Sequence, residues 1–265
     1  MEKIKKAAGA IKKYLFQDTR YFFQYVYRYP QNNFHNDCRF YSDQELINLL
    51  QHGKSIIRIG DGEIGVLHRL PITVYQVYSD ALRADLLKII KNYTNDSNYV
   101  LMIPLFVNET NKKLRDTGRF QGYMPLKITY ELIFNKHAGY FDQHVFYKDG
   151  GFGRLILPYA KTKKMIIVTN AGHVEKIKAS GRADDVFDYI VCGNKNTYES
   201  RAEIQTAIVE MIKKTGLPKS DFIVLMSAGL SKTIIYDLSK EGYQILDIGK
   251  GLESYYMDVS IQHLI

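Results

Sequence analysis

The stretch Ser55-Ile-Ile-Arg-Ile-Gly-Asp-Gly-Glu63 leads from a short apolar run into a sharp turn built on two glycines. This pattern predicts a strand followed by a turn, and ligands of α/β proteins bind where such strands end. The turn carries two carboxylates, Asp61 and Glu63, and Arg58 stands three residues before the first of them. Hard carboxylate oxygens suit Mg²⁺ or Mn²⁺, whose other positions are filled by water and substrate phosphates. The stretch therefore predicts a metal site for a phosphorylated substrate.

Other interpretations of the same stretch are open. Asp-Gly between two apolar runs also favours a β-hairpin, which needs no metal. Gly60, Gly62 and Gly65 match the G-x-G-x-x-G pattern of dinucleotide-binding proteins. That pattern, like a methyltransferase-type glycine loop, requires a helix after the third glycine, and Pro71 leaves little room for one. The metal interpretation consequently depends on support from the rest of the chain.

Composition places the chain among folded α/β proteins with anionic partners. A length of 265 residues is enough for one large domain or two small ones. The shares of hydrophobic residues (46%) and charged residues (24%) are ordinary for a folded protein. The formal net charge of +8 indicates partners such as nucleotides, phospholipid headgroups or nucleic acid. Cys38 and Cys192 lack metal-site spacing, which favours a reducing cytosol. With no signal peptide and no apolar run of about 18 residues, we expect a cytoplasmic protein.

Residues 1–36 are predicted to form a basic amphipathic extension, followed by one domain at residues 37–265. Within residues 1–29, seven lysines and arginines are accompanied by Glu2 and Asp18 as the acidic residues. Apolar residues recur there at helical spacing, and an aromatic run follows them. A helix of this kind can lie on an anionic membrane surface, at the inner face of the membrane. Alternatively, it packs its apolar stripe on its own domain.

The middle of the chain is less regular. Residues 80–93 have helical periodicity, and residues 99–103 are apolar enough for a buried strand. Residues 104–125 lack a clean period, so we predict a long functional loop with some helix. His137 and His144 have no partners at metal-ligand spacing and are interpreted as structural.

From about residue 140 onward, strands and helices alternate. Helices of ten or more residues between strands imply parallel pairing with right-handed crossovers. The predicted fold class is α/β: a single Rossmann-like domain with a mostly parallel sheet flanked by helices. Strands are predicted at residues 145–146, 165–168, 186–192, 222–226 and 244–248, and helices from about Phe152 and at residues 171–180, 199–214 and 230–241.

Two further glycine turns follow predicted strands. Ser227-Ala-Gly-Leu-Ser-Lys-Thr233 precedes a helix, whose first N–H groups and dipole suit phosphate. It is not a P-loop, because Met226 and Ser231 stand at the glycine positions, and a Gly/Ser turn that caps a helix is the alternative. Asp247-Ile-Gly-Lys-Gly251 is the second turn. Since parallel strands end at one edge of the sheet, both turns and residues 58–63 are expected to converge on one crevice.

The chain resembles bacterial glycosyltransferases of the GT-D fold over about residues 42–258. The resemblance rests on the Asp-x-Glu signature at Asp61 and Glu63, on Asn196-Thr-Tyr198, and on the run from Ser227 to Gly249. It implies a nucleotide-sugar donor, usually UDP-linked, and Mn²⁺ or Mg²⁺ held by the Asp-x-Glu pair. It further implies nucleotide-sugar contacts at Arg58, Gly60, Asn196, Tyr198, Ser227, Gly229, Leu230, Ser231 and Lys232.

The sequence also departs from the family pattern in three places. Lys250 stands where a histidine is common, and the acidic-aromatic run after it is shortened to Glu253-Ser-Tyr-Tyr256. Asn170-Ala-Gly-His173 differs from the usual charged motif. These departures concern the acceptor and the base more than the donor.

Together, the patterns and the resemblance predict a metal-dependent glycosyltransferase that moves a sugar from a nucleoside-diphosphate donor to a glycan, glycoprotein or lipid-linked acceptor. The setting would be surface polysaccharide or glycoprotein biosynthesis. Inverting transfer needs a base for the acceptor hydroxyl, and Glu253 is the candidate for that base. Asp61 and Glu63 are the other predicted catalytic residues. The alternative is a non-catalytic α/β protein that binds nucleotide or nucleic acid through its positive charge. Only the N-terminal segment approaches a nucleic-acid-binding pattern, so we expect no nucleic acid partner.

Overall fold

Eight parallel strands form one sheet in the computed structural model, which describes residues 38–72, 75–118, 120–146, 150–229 and 231–257. Their order across the sheet is β1-β4-β3-β2-β8-β7-β5-β6, and the pairings between them are parallel. The predicted α/β class with a parallel sheet is therefore confirmed. The strands are β1 (Arg39–Phe40), β2 (Ser55–Arg58), β3 (Tyr99–Ile103), β4 (Gly139–Asp142), β5 (Lys164–Thr169), β6 (Val186–Val191), β7 (Phe222–Met226) and β8 (Ile245–Asp247).

Helices cover both faces of this sheet, as parallel sheets require. Short 3₁₀ turns at Leu105–Asn108 and Lys219–Asp221 and a π-helical turn at Phe152–Ile156 accompany them. The α-helices are α1 (Asp43–Gln51), α2 (Asp61–Leu67), α3 (Asp80–Lys91), α4 (Asn111–Asp116), α5 (Phe120–Ile133), α6 (Leu157–Ala160), α7 (Ala171–Ala179), α8 (Arg201–Lys214), α9 (Lys232–Lys240) and α10 (Gly251–Tyr256).

Two hydrophobic cores, one on each face, explain why the strands read as continuous apolar runs. Along a strand successive side chains point to opposite faces. In β3, Tyr99, Leu101 and Ile103 accordingly belong to one core, and Val100 and Met102 to the other. Helices α2, α3, α5, α8 and α9 pack on the first face, and α1, α6, α7 and α10 pack on the second.

The sheet consists of two halves that meet at β2 and β8. Strands β1 to β4 lie on one side of this seam, and β5 to β8 lie on the other. Ile56 of β2 pairs with Leu246 of β8, although no direct connection links the two strands. From β2 the chain proceeds to β3, away from β8. Such a switch point opens a crevice at the carboxyl ends of the strands, where ligands bind in open α/β sheets.

The Arg58–Glu63 stretch is a strand followed directly by a helix. α2 begins at Asp61, with Gly60 as its N-cap residue. The Glu63 carboxylate accepts a hydrogen bond from the Gly60 N–H (2.8 Å), which satisfies an otherwise free donor at the helix start. The hairpin interpretation is therefore wrong. The expectation that Pro71 leaves little room for a helix after Gly65 is confirmed, because α2 begins before that glycine and ends at Leu67.

Two further expectations are corrected in the middle of the chain. Residues 145–146 lie in a turn, and the strand is formed instead by Gly139–Asp142. Residues 104–125 are largely helical and include α4 and the start of α5. Gly122 and Pro125 in the first turns of α5 obscure the helical pattern, since both residues disfavour a helix interior.

The predicted N-terminal extension, residues 1–36, lies outside the described residues, as does Leu230. The boundary between the extension and the domain thus stays a prediction. Across the ranges that the structure describes, none of the helices combines the length and the apolar character needed to cross a bilayer.

Candidate functional site

Four charged side chains meet at the carboxyl edge of the β2–β8 seam. Arg58 ends β2 and Asp247 ends β8, and the Arg58 Nε donates to the Asp247 Oδ1 at 3.2 Å. Lys232, the first residue of α9, reaches between the strands. Its Nζ lies 2.8 Å from the Asp247 Oδ2 and 3.1 Å from the Glu63 Oε1. We refer to Arg58, Glu63, Lys232 and Asp247 as the edge network.

The edge network is buried, and both of its central groups stay charged. The side chains of Lys232 and Asp247 are 4% and 3% exposed. Burial acts to lower the pKa of Lys232, but the carboxylates of Asp247 and Glu63 outweigh it and raise that pKa. For Asp247 burial acts upward, and Lys232 and Arg58 together bring the pKa below its ordinary value. Each charge is thus held in its ionised form by its neighbours.

The start of α2 gives the two acids of the Asp-x-Glu pair different surroundings. Asp61 is exposed, and its Oδ1 accepts from the backbone N–H of Gly62 at 3.0 Å. Glu63 is 13% exposed and uses one carboxylate oxygen for the Gly60 N–H and the other for Lys232. Asp61 therefore faces solvent at the edge, and Glu63 links α2 to α9.

Two glycines allow the neighbouring turns to approach this network. Gly249 has a φ of +44°, and a Cβ there would lie 1.8 Å from an Arg58 guanidinium nitrogen. Gly229 has a φ of +46°, and a Cβ there would meet the Thr197 hydroxyl at 2.7 Å. Both positions combine a left-handed backbone with close contact, so they require glycine.

Two buried side chains below and beside the turn were missed by the sequence patterns. The Tyr130 hydroxyl, on α5, donates to the Ile59 backbone oxygen at 2.7 Å. Burial, followed by the charges of the Asp-x-Glu pair, raises the pKa of Tyr130 well above its usual range. Gln143, just after β4, lies with its Oε1 only 2.9 Å from where a Cβ of Gly60 would be. Both residues belong to elements that lacked a clear periodicity, so no sequence signal identified them.

His144 agrees with its structural interpretation. Its Nδ1 lies 3.3 Å from the Asp142 Oδ1, and its Nε2 lies 3.1 Å from the Gln143 amide nitrogen. A ring with Nδ1–H directed at the carboxylate and Nε2 accepting from the amide satisfies both contacts. The imidazole then anchors the loop beside Gly60.

The Asp-x-Glu pair fits a metal site that is completed by substrate. Asp61 offers an exposed carboxylate, and Glu63 offers a largely buried one that already contacts Lys232 and the Gly60 N–H. Mg²⁺ and Mn²⁺ accept one or two carboxylates together with phosphates and water. Within the described ranges, no cluster of three or more His, Cys, Asp or Glu side chains is arranged to hold a metal ion. The donor set therefore suits a cation that arrives with a phosphorylated substrate rather than a closed structural site.

The turn before α9 supplies further polar groups. Ser227 is held through its backbone, since its N–H donates to the Val168 oxygen at 2.9 Å and its oxygen accepts from the Thr169 hydroxyl at 3.3 Å. The hydroxyls of Ser231 and Thr233 are buried and lack a hydrogen-bond partner among the residues that the structure describes. A helix start with unpartnered hydroxyls beside Lys232 has the chemistry of a phosphate site.

Asn196 and Tyr198 lie near this turn but already have partners in the protein. The Asn196 Oδ1 accepts from the Val77 N–H at 3.0 Å, and the Tyr198 hydroxyl donates to the Asp85 Oδ2 at 2.8 Å. Between them, the Thr197 hydroxyl donates to the Ala228 oxygen at 3.2 Å. The segment therefore supports the turn before α9, and its two predicted nucleotide contacts are engaged elsewhere.

Glu253 lies in the first turn of α10, a helix that starts two residues after Gly249. The Gly251 N–H donates to the Ile248 oxygen at 2.8 Å, so the helix turns back directly from the end of β8. Glu253 is half-buried at this edge of the sheet. The structure thus brings the β2, β7 and β8 turns together at one edge, as the sequence predicted.

Comparisons with known proteins agree with this architecture. The profile of the family "Glycosyltransferase GT-D fold" matches residues 56–262. The probable glycosyl transferase Gly of Streptococcus gordonii is 24% identical over 229 residues, which are 78% of this chain and 31% of that protein. The chain thus spans about a third of the length of this curated relative.

Solved structures show the same fold. A structure described as a new glycosyltransferase (DUF1792) from Streptococcus sanguinis superposes with a TM-score of 0.64 at 21% identity, covering 84% of this chain and 86% of that one. A second, described as the highly conserved domain of unknown function 1792 with a distinct glycosyltransferase fold, gives 0.63 at 20% identity, with coverages of 85% and 84%. These superpositions show a shared fold, and the family profile confirms the enzymatic interpretation over the non-catalytic alternative. Because the family profile covers most of the chain, this protein belongs to the glycosyltransferases of the GT-D fold.

Proposed function

We propose that this glycosyltransferase is metal-dependent and takes its sugar from a nucleoside-diphosphate donor, expected to be UDP-linked. The observation that carries the proposal is the meeting of the Asp-x-Glu pair, Arg58 and the start of α9 at one edge of the sheet. Carboxylates for a cation and basic groups for phosphate are the two requirements of a diphosphate site. A bound Mn²⁺ or Mg²⁺ would neutralise charge on the departing diphosphate.

Different residues are proposed to bind the cation, to bind the donor phosphate and to position the β8 turn. Asp61 and Glu63 would hold the cation through their carboxylates. The Ser231 and Thr233 hydroxyls, which have no hydrogen-bond partner within the described residues, would bind donor phosphate together with the N–H groups of the positive helix end at the start of α9. Arg58 fixes Asp247 and thereby the turn that leads into α10.

The acceptor hydroxyl has a pKa far above neutral, so inverting transfer needs a group that removes its proton. Glu253 is the proposed base, because α10 holds it at the carboxyl edge directly after the β8 turn. Its carboxylate would accept the proton from the hydroxyl as the new glycosidic bond forms.

The acceptor is proposed to be a glycan, a glycoprotein or a lipid-linked sugar, in surface polysaccharide or glycoprotein biosynthesis. The basic segment at residues 1–29 is compatible with work beside an anionic membrane surface in the cytoplasm, because its lysines attract anionic headgroups. These assignments rest on the glycosyltransferase family and on the charge pattern of the sequence.

Donor hydrolysis tests the proposal without knowledge of the acceptor. A panel of UDP-sugars is incubated with protein stripped of metal by EDTA, and UDP release is measured with and without added Mn²⁺. We expect release from at least one UDP-sugar, strictly dependent on Mn²⁺, and loss of that release in Asp61→Asn. Asp116→Asn, an exposed acid on α4, is the matched control and should behave as wild type. Equal release in EDTA would overturn the metal dependence.

A further inference from the structure

The Lys232 ammonium is surrounded by oxygen atoms of the protein. Its Nζ lies 2.8 Å from the Asp247 Oδ2, 3.1 Å from the Glu63 Oε1 and 3.1 Å from the Gly229 backbone oxygen. The Gly229 contact is a hydrogen bond and the two carboxylate contacts are ion pairs, so the ammonium is engaged on several sides. Lys232 is nine-tenths or more buried, and its ammonium contacts protein oxygens in this arrangement. A simple phosphate-binding role does not explain it.

The edge network is also balanced in charge. Two cations, Arg58 and Lys232, face two anions, Glu63 and Asp247. A divalent cation that uses Glu63 as a ligand enters a place where the ammonium already neutralises that carboxylate. Two positive groups on one carboxylate oxygen repel each other strongly at short range and low dielectric. The Lys232 ammonium and the divalent cation therefore compete for the Glu63 carboxylate.

We propose that Lys232 is a positioning residue that serves as the internal counter-ion of Glu63 and releases it when Glu63 binds a divalent cation. The inference rests on the proposed metal dependence. It adds that Glu63 exchanges the Lys232 ammonium for the cation, which we call the exchange. Lys232 keeps its place during the exchange, because its ion pair with Asp247 and its hydrogen bond to the Gly229 oxygen remain. Before donor and cation arrive, the ammonium keeps the Glu63 carboxylate in the orientation that the Gly60 N–H also favours.

The exchange releases the ammonium from Glu63, so that it can interact with a donor phosphate oxygen. Cation binding and diphosphate binding then support each other through Lys232, because each makes the other less costly. By linkage, a nucleoside diphosphate must raise cation affinity by the same factor as the cation raises diphosphate affinity. Part of that factor should disappear when the ammonium is removed.

Direct binding of Mn²⁺, measured by calorimetry without donor, tests the exchange. Lys232→Met removes the competing charge at similar length, and we expect it to bind Mn²⁺ about tenfold more tightly than wild type, a typical size for coupled sites. Lys250→Met is the control, since Lys250 is an exposed lysine at the same edge. Its Mn²⁺ affinity should match wild type. Thermal melts by circular dichroism verify that each variant is folded.

Asp247→Asn provides a second, isosteric variant with the opposite sign. It removes the carboxylate that shares the ammonium, so Lys232 should hold Glu63 more firmly and Mn²⁺ should bind about tenfold more weakly. In the same titrations, adding UDP should raise Mn²⁺ affinity more in wild type than in Lys232→Met.

The outcomes distinguish a failure of the Lys232 exchange from a failure of the proposed metal-dependent function. Tighter binding by Lys232→Met with weaker binding by Asp247→Asn supports the exchange. Equal Mn²⁺ affinities in wild type and both variants would overturn the exchange and leave the metal-dependent function standing. If Lys232→Met does not fold, an unchanged affinity in Asp247→Asn would overturn it by itself. Absence of Mn²⁺ binding in all three proteins, even with UDP, would overturn both.

Discussion

Asp61 and Glu63 are neighbours in the Asp-x-Glu pair but are held by different partners. Asp61 is exposed, whereas Glu63 caps α2 and neutralises Lys232. We therefore expect Asp61→Asn to lose Mn²⁺ binding while its free energy of unfolding changes by less than about 0.5 kcal/mol. Glu63→Gln should lose Mn²⁺ binding and also about 1.5–3 kcal/mol of stability, the usual cost of a hydrogen bond to a charged group. Urea denaturation measures the difference.

Glu210→Gln is the control for that comparison, because Glu210 is an exposed acid on α8. It should leave both stability and Mn²⁺ binding unchanged. A Glu63→Gln protein as stable as wild type would mean that the ion pair with Lys232 contributes nothing to folding.

Glu253 allows a second prediction at the level of a single side chain. Replacing it by Gln removes the proposed proton acceptor with little change in volume, so the turnover of sugar transfer should fall about 100-fold or more. UDP affinity should stay within about twofold of wild type, because a base acts on the acceptor and not on the nucleotide. Initial rates and UDP calorimetry together separate these effects.

The matched control is Glu175→Gln, an exposed acid on α7. If Glu253→Gln loses UDP affinity and turnover together, Glu253 belongs to the nucleotide site. Unchanged kinetics would leave another group at the edge as the base.

Sequence patterns singled out the charged residues at the ends of the strands but not their pairings. Asp61 and Glu63 are recognisable because two carboxylates stand at the end of an apolar run, and Lys232 because it follows a glycine turn. The contact between Glu63 and Lys232 depends on β2 lying beside β8. No local period specifies that neighbour, since it results from packing across the whole sheet.

Gly249, in the turn after β8, allows a prediction about how that turn is held in place. Gly249→Ala places a Cβ against the Arg58 guanidinium and in a left-handed backbone. Arg58 must then move away from Asp247, and losing a buried ion pair costs about 3 kcal/mol or more. We expect a loss of at least that size in urea denaturation, with weakened UDP binding because the β8 turn shifts.

Gly181→Ala isolates the cost of the backbone conformation. Gly181 also has a positive φ, +66°, and a Cβ there would meet nothing within 4 Å. It should lose about 1–2 kcal/mol, the penalty of a left-handed conformation for a residue with a side chain. Equal losses in the two variants would show that the contact with Arg58 is not required.

Strands buried on both faces were the most predictable elements. Residues 99–103 and 222–226 were predicted with the observed bounds, because short apolar runs between polar turns allow one interpretation. β4 and α5 were not predicted. β4 contains two aromatic residues between Gly139 and Asp142, and a run of two apolar residues is too short to predict a strand. In α5 tertiary packing overrides poor helix propensity, and the buried Lys127 and Tyr130 show how closely that helix is held.

At the scale of the molecule, the two halves of the sheet contribute unequal parts of one site. The half with β1 to β4 supplies the Asp-x-Glu pair, and the half with β5 to β8 supplies Lys232, Asp247 and the β8 turn. Each half contributes one cation and one anion to the edge network, and two of its ion pairs cross the seam: Glu63 with Lys232, and Arg58 with Asp247. Assembly of the site therefore requires the seam to close, and the edge network gives that closure an electrostatic contribution.

The N-terminal segment supports a prediction about the whole chain. Its lysines and arginines far outnumber its acids, and apolar residues recur at helical spacing, so residues 1–29 are expected to bind anionic membranes. Deleting them should reduce co-sedimentation with phosphatidylserine-containing vesicles severalfold and leave turnover on a soluble acceptor unchanged. Raising salt to about 1 M should mimic the deletion, because the Debye length then falls to about 3 Å. A truncated protein that is insoluble or unfolded would show instead that the segment packs on the domain. Vesicle binding that persists after the deletion would place the membrane contact on the remaining domain.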